Sequence, residues 1–147
     1  MKLVIQRVKL ASVLQVKTKK AVGSIKNGLF VLMGVKKGDT KEKADLLAEK
    51  LIKLRIMSDV NDKMNLSIKD ANAEVLVVSQ FTLYANTSGG NRPSFIDAED
   101  PAKAKELYEY FVRSLKEKGA RVETGSFGDY MEISTELDGP VTIILEN

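Results

Sequence analysis

Residues 29–54 read LFVLMGVKKGDTKEKADLLAEKLIKL, and the period of the apolar positions changes inside that stretch. From Leu29 to Val35 only Gly34 breaks a continuous apolar run, which predicts a central strand covered on both faces. A few residues on, Asp39-Thr40-Lys41-Glu42 matches a capping box, with Asp39 as N-cap and Glu42 reaching back. Ala44, Leu47, Ala48, Leu51 and Leu54 then follow at helical spacing.

Upstream, Val4–Val8, Ser12–Val16 and Ala21–Ile25 read as strands, the last two divided by the polar turn Lys17-Thr18-Lys19-Lys20. Downstream, turns at Asn61-Asp62 and Asp70-Ala71-Asn72 precede a strand from Val75 to Tyr84. A second helix opens at Asp100-Pro101, an N-cap followed by proline. Ala104, Leu107, Tyr108, Phe111, Val112 and Leu115 make its apolar stripe, and Gly119 ends it. Ala120–Glu123, Tyr130–Thr135 and Val141–Leu145 read as closing strands. The expectation is one α+β domain over residues 1–147. Its sheet is mostly antiparallel and barrel-like, with two main helices packed on it.

Two absences bound the chemistry. The chain has no Cys and no His. A thiol nucleophile, a Ser-His-Asp triad and an imidazole or thiolate metal ligand are therefore all excluded. Any site must work with hydroxyls, carboxylates, amides, Lys or Arg, the backbone, or groups on the substrate. No metal and no cofactor is expected. The net charge of +3 permits a polyanionic partner without demanding one. The scattered lysines suit solvated faces equally well. No apolar run is long enough to span a bilayer, and the N-terminal apolar stretch is too short for a signal peptide. A cytoplasmic protein is expected.

Three segments carry chemical interest. In Val75–Ala85, strand alternation puts Gln80 and Thr82 side by side on one face. There they either satisfy local backbone or form the wall of a site. Asn86–Phe95, with Gly89-Gly90 and Arg92, is either a surface loop or a backbone cradle for phosphate. It is no Walker loop, because no Lys-Ser/Thr follows and no helix begins there. Asp138-Gly139-Pro140-Val141-Thr142 reads as a turn, for which the pattern alone predicts an ordinary trans peptide bond.

Together these segments are more specific than any one of them. Ser79-Gln80-Phe81-Thr82-Leu83, Arg92-Pro93-Ser94-Phe95 and Gly139-Pro140-Val141-Thr142 resemble the signature motifs of the D-aminoacyl-tRNA deacylase family. The likeness covers essentially the whole chain. Ile5-Gln6-Arg7-Val8, Lys63-Met64-Asn65-Leu66-Ser67 and Glu123-Thr124-Gly125 with Phe127-Gly128 all stand in the family's order. The chain departs from that pattern at Leu137 (usually Asn), Asn86 (usually Asp), Met57 (usually Phe) and Asp62 (usually Gly).

The resemblance implies a homodimer with its sites at the subunit interface, acting on the acceptor end of D-aminoacyl-tRNA. It implies a catalytic segment of Ser79, Gln80, Phe81 and Thr82, in which main-chain amides near Gln80 and Phe81 polarise the ester carbonyl. It also implies a cis Gly139–Pro140 bond, supplied by the partner subunit, whose two carbonyls reject an L side chain. Arg7 braces that turn. Tyr84, Arg92, Phe127 and Met131 are the implied substrate and tRNA contacts, Phe127 and Met131 as liners of a pocket for the terminal adenine. Thr82 invites assignment as a nucleophile, but a threonine hydroxyl needs a base, and a substrate ribose hydroxyl assisting water is the better expectation. The competing readings are a non-catalytic tRNA- or RNA-binding module, a hydrolase of another ester or amide with Thr82 or Ser79 as nucleophile, and a structural dimer.

Overall fold

The structure, a computed structural model, describes residues 1–147. In chain order the elements are β1 (Lys2–Gln15), β2 (Lys20–Ile25), β3 (Gly28–Gly34), α1 (Lys41–Lys53), β4 (Met57–Ser58) and β5 (Met64–Leu66). Then come β6 (Glu74–Ser79), a 3-10 turn (Phe81–Tyr84), α2 (Pro101–Glu117), β7 (Arg121–Thr124) and β8 (Met131–Glu146).

The sheet is assembled on β1. It pairs antiparallel with β3 through Lys2–Val8, with β2 through Ala11–Gln15, and with β8 along nearly its whole length. The antiparallel expectation holds for these pairs and for the β4–β5 hairpin. It fails for β3–β6 and β6–β7, which are parallel. Each of those connections carries a helix, and a parallel pair needs a crossover of about that length.

The two-sided burial expected of Leu29–Val35 follows from two cores. Leu29, Val31 and Met33 of β3, with Val75 and Val77 of β6, face the helices and pack with Ala44, Leu47, Leu51, Phe111 and Leu115. Phe30, Leu76 and Val78 point the other way, into a smaller cluster with Val8, Ala11, Val13 and Ile25 inside the coiled sheet. That coil is nearly closed, because β2 curls back onto β7. A Cβ at Gly23 would lie 2.3 Å from the Thr124 carbonyl oxygen, so the seam admits only glycine there.

Several local expectations are corrected. Val4–Val8 and Ser12–Val16 are one strand, β1. Lys9 and Leu10 are exposed while Arg7 and Val8 are both buried, so the side-chain alternation slips and imitates an interruption. Tyr130–Thr135 and Val141–Leu145 are likewise one strand, β8. Because Gln6 pairs with Thr142 and Val8 with Leu137, the residues Asp138–Val141 all stand opposite Arg7 and bulge from the ladder.

Asp39 does not cap α1; Thr40 holds that position without a side-chain bond. The Asp39 carboxylate is buried and accepts from the Met1 ammonium at 2.9 Å, the Lys36 N–H at 2.7 Å and the Lys43 ammonium at 3.0 Å. A buried cation claims the carboxylate more strongly than a helix end does. Asp100 does cap α2, accepting from the Ala102 N–H at 3.0 Å, with Pro101 at the first position. Asp62, where the family usually carries Gly, has φ 58°. That left-handed conformation explains why glycine suits the turn.

Candidate active site

β6 delivers Ser79 to the end of the sheet, where the Gln80 N–H still donates to the Met33 carbonyl at 2.8 Å. The strand then stops. Phe81–Tyr84 form a 3-10 turn, with Leu83 N–H on the Gln80 carbonyl and Ala85 N–H on the Thr82 carbonyl. The expected alternation through Tyr84 is therefore overturned. Gln80 and Thr82 are neighbours because the turn folds the chain, and Gln80 Nε2 donates to Thr82 Oγ1 at 2.5 Å.

The turn also exposes donors. The N–H groups of Phe81 and Thr82 lie at its open start, where it supplies no acceptor. The Gln80 amide, by contrast, is committed to β3. Of the amides expected to meet a substrate carbonyl, only that of Phe81 is free to do so.

A cavity of about 780 Å³ opens beside this segment. Ser79, Gln80 and Phe81 form one wall, Phe127 and Met131 another, and Pro101 and Ala104 at the start of α2 contribute a third. The Phe95 ring meets that of Phe81 edge-on, with centroids 5.0 Å apart. Phe81 is 55% exposed even so, so this pair forms the mouth of the cavity and not its floor. Phe95 belongs to the Arg-Pro-Ser-Phe motif but went unassigned from sequence. The motif itself was the available signal; what it lacked was any indication that the loop folds back on the 3-10 turn. An apolar cavity with a few convergent polar groups suits a flat, partly polar ligand.

The other expected residues lie off this cavity. The Thr82 hydroxyl is exposed and its one hydrogen-bond partner is the Gln80 amide. Tyr84 is buried, with a hydroxyl that has no partner and a ring lying 5.2 Å below the Lys2 ammonium. Burial pushes that phenol well above its ordinary range. Arg92 is exposed on a loop closed by the Asn86–Ser94 pairing.

Gly139 and Pro140 are exposed on β8, and the bond between them is cis, which overturns the trans turn read from pattern alone. Arg7, 8% exposed, holds the bulge. Its Nε donates to the Asp138 carbonyl at 3.3 Å and lies 2.9 Å from the Asp138 carboxylate. Its Nη1 donates to the Ile56 carbonyl at 2.9 Å and to Ser58 Oγ at 3.3 Å. The 3-10 turn packs instead by Gly34, which pairs with Lys2. The bulge stands opposite Arg7, five residues further along β1, roughly 17 Å at strand rise. One chain does not bring the two parts together.

With that geometry in place, comparison with known proteins is decisive. The sequence model of the D-Tyr-tRNA(Tyr) deacylase family matches residues 4–146. The chain belongs to this family. It is thereby placed among the hydrolases of translation quality control. It is 53% identical over 147 residues to the D-aminoacyl-tRNA deacylase of Thermotoga petrophila, covering 100% of this chain and 97% of that one. The Aquifex aeolicus D-aminoacyl-tRNA deacylase is also 53% identical, with 100% and 98% covered. The Lactobacillus gasseri protein of that name is 50% identical over 146 residues, with 99% of each covered.

Among solved structures, the c-Myc DNA Unwinding Element Binding Protein superposes with a TM-score of 0.92 at 36% identity, over 100% of this chain and 99% of the other. A probable eukaryotic D-amino acid tRNA deacylase superposes at 0.83 with 17% identity, over 98% and 97%, a likeness of fold alone.

Proposed function

We propose that this chain hydrolyses the ester joining a D-amino acid to the terminal ribose of tRNA, and that it also accepts glycine mischarged on tRNA-Ala. The observation that carries the reading is the division of the site. A cavity with a free Phe81 N–H lies at the end of β6, while an exposed carbonyl-bearing turn, Gly139–Pro140, is clamped by Arg7 elsewhere on the same sheet.

The two parts meet when a second copy supplies the turn, in a homodimer with its sites at the interface. β8 supports this arrangement. It pairs with β1 alone, so its other edge is bare, and Leu137 and Ile144 are exposed along it. In the assembled site the Gly139 and Pro140 carbonyls face the substrate α-carbon. A hydrogen fits there and an L side chain collides. A thousandfold preference requires about 4 kcal/mol of such repulsion. Residues 1–147 act as one domain, in the cytoplasm.

Catalysis is modest, because an aminoacyl ester is already activated. The Phe81 amide stabilises the developing oxyanion, an interaction whose loss typically costs about 10²–10³ in rate. Water attacks with help from the neighbouring ribose hydroxyl. Thr82 orients Gln80 and is no nucleophile, since no base adjoins its hydroxyl. Phe127 and Met131 hold the terminal adenine, and Arg92 supports tRNA contacts from outside the cavity; Tyr84, buried beneath Lys2, makes no such contact.

The test is to follow D-tyrosyl-tRNA and L-tyrosyl-tRNA side by side with the purified protein. Rapid loss of the D ester with the L ester spared is expected. Equal loss of both would refute the carbonyl filter. Loss of neither, from folded protein that still binds tRNA, would establish the binding-module reading.

A further inference from the structure

A second groove, of about 640 Å³, runs along the exposed side of α2. One wall carries Lys105, Arg113 and Lys116, spread over eleven residues or roughly 16 Å of helix. The facing wall is the β7–β8 loop, with the Ser126 hydroxyl and the Phe127 ring. Phe127 and Asp129 line both this groove and the candidate active-site cavity, so the two adjoin.

Of the helix lysines outside this groove, all but Lys50 hold a carboxylate. Lys41, Lys53 and Lys103 each hold a carboxylate at 2.8, 2.6 and 2.9 Å. Lys105 reaches Glu109 only at 3.9 Å, and neither Arg113 nor Lys116 has a carboxylate partner. The Asp129 carboxylate at the rim is already occupied by Gln15 Nε2, at 2.5 Å, and by the Ser126 hydroxyl. Those donors are neutral and leave Asp129 charged, so the groove sets three cations against two carboxylates, Glu109 and Asp129.

We propose that this groove is the phosphate track for the 3′ strand of the tRNA whose terminal nucleoside enters the cavity. The assignment rests on the function proposed above for the cavity. Unpaired cations beside an aromatic face are the combination that binds single-stranded nucleic acid, through backbone charge and base stacking. The 16 Å run matches about five stacked nucleotides at about 3.4 Å each. Phe127, at the junction, is placed to stack a base as the strand passes from groove to cavity.

The experiment measures binding of uncharged tRNA by fluorescence anisotropy at several salt concentrations. It uses the wild-type protein, the triple variant Lys105→Ala, Arg113→Ala, Lys116→Ala, and a control triple Lys26→Ala, Lys50→Ala, Lys63→Ala. Both triples remove the same charge from exposed positions. The groove variant should bind at least tenfold more weakly at physiological salt. Its slope of log Kd against log salt should fall by about two, since each phosphate contact contributes about 0.7–0.9. The control should keep the wild-type slope. A groove variant with the wild-type slope, or equal losses in both triples, would overturn the track. If wild-type protein cleaves no D-tyrosyl-tRNA yet the groove variant alone loses slope, the track stands and the hydrolase reading falls.

Discussion

Arg7 holds Asp138 twice, by its carbonyl and by its carboxylate, and so fixes the start of a bulge in which four residues stand opposite one. Nη1 of the guanidinium donates to Ile56 and Ser58, so a buried cation ties β8 to the strand that follows α1. The fork geometry matters here as much as the charge.

Arg7→Lys keeps the charge but cannot serve both Asp138 and Ile56. We expect the ratio of D to L ester hydrolysis to fall at least tenfold, with a smaller loss of stability than Arg7→Ala. The alanine variant removes the partner of a half-buried carboxylate and should cost about 3 kcal/mol. Paired deacylation assays and urea unfolding read both quantities. An Arg7→Lys protein with unaltered chiral preference would detach Arg7 from the filter.

The Thr82 hydroxyl is hydrogen-bonded to Gln80 alone, and no basic side chain is bonded to it. Thr82→Ala should therefore keep turnover of D-tyrosyl-tRNA within about tenfold of wild type, below the loss that removing an oxyanion donor brings. Single-turnover hydrolysis measures this. Near-total inactivity in a protein with normal thermal stability would restore the hydroxyl as nucleophile.

Asp45 joins the two helices. It accepts from the Tyr110 hydroxyl at 2.7 Å and from Ser114 Oγ at 2.8 Å, and these bonds, Tyr110 first, hold its carboxyl below the ordinary carboxylate range. A depressed folded value gives stability that is present above the unfolded pKa of about 3.9 and is lost as pH falls through the folded one. Tyr110→Phe should cost about 1 kcal/mol at neutral pH. The cost should shrink in acid, as pH falls below the unfolded value and through the lower folded one. Urea midpoints at the two pH values decide it; a cost independent of pH would place the effect in packing.

Asp62 adopts φ 58° in the turn between β4 and β5. Asp62→Gly should leave stability unchanged or raise it by up to about 1 kcal/mol, whereas Asp62→Val should lower it by about 1–2 kcal/mol. Thermal unfolding of the two variants gives the comparison, and equal midpoints would remove backbone conformation as the reason glycine suits this position.

Local chemistry made much of this molecule legible from sequence. The switch of period after Val35 marked α1, Asp100-Pro101 marked the start of α2, and Gly119, at φ 87°, marked its end, because caps and amphipathic stripes are written within a few residues. Ser79, Gln80, Phe81 and Phe127 stand in motifs and Met131 is implied by the family resemblance, and the fold gathers these five around one cavity. Other features depend on residues far apart in the chain. Asp39 is drawn from α1 by an ammonium 38 residues away. The strand carrying Gln80 ends where β3 ends, because the ladder bond from Gln80 to Met33 is the last available. The groove on α2 exists only because the β7–β8 loop lies against the helix. Periodicity and capping record what each segment does with its own neighbours. Which carboxylate meets a buried cation, where a ladder runs out, and which wall faces which cation are settled by long-range packing, for which no short stretch of sequence carries the signal.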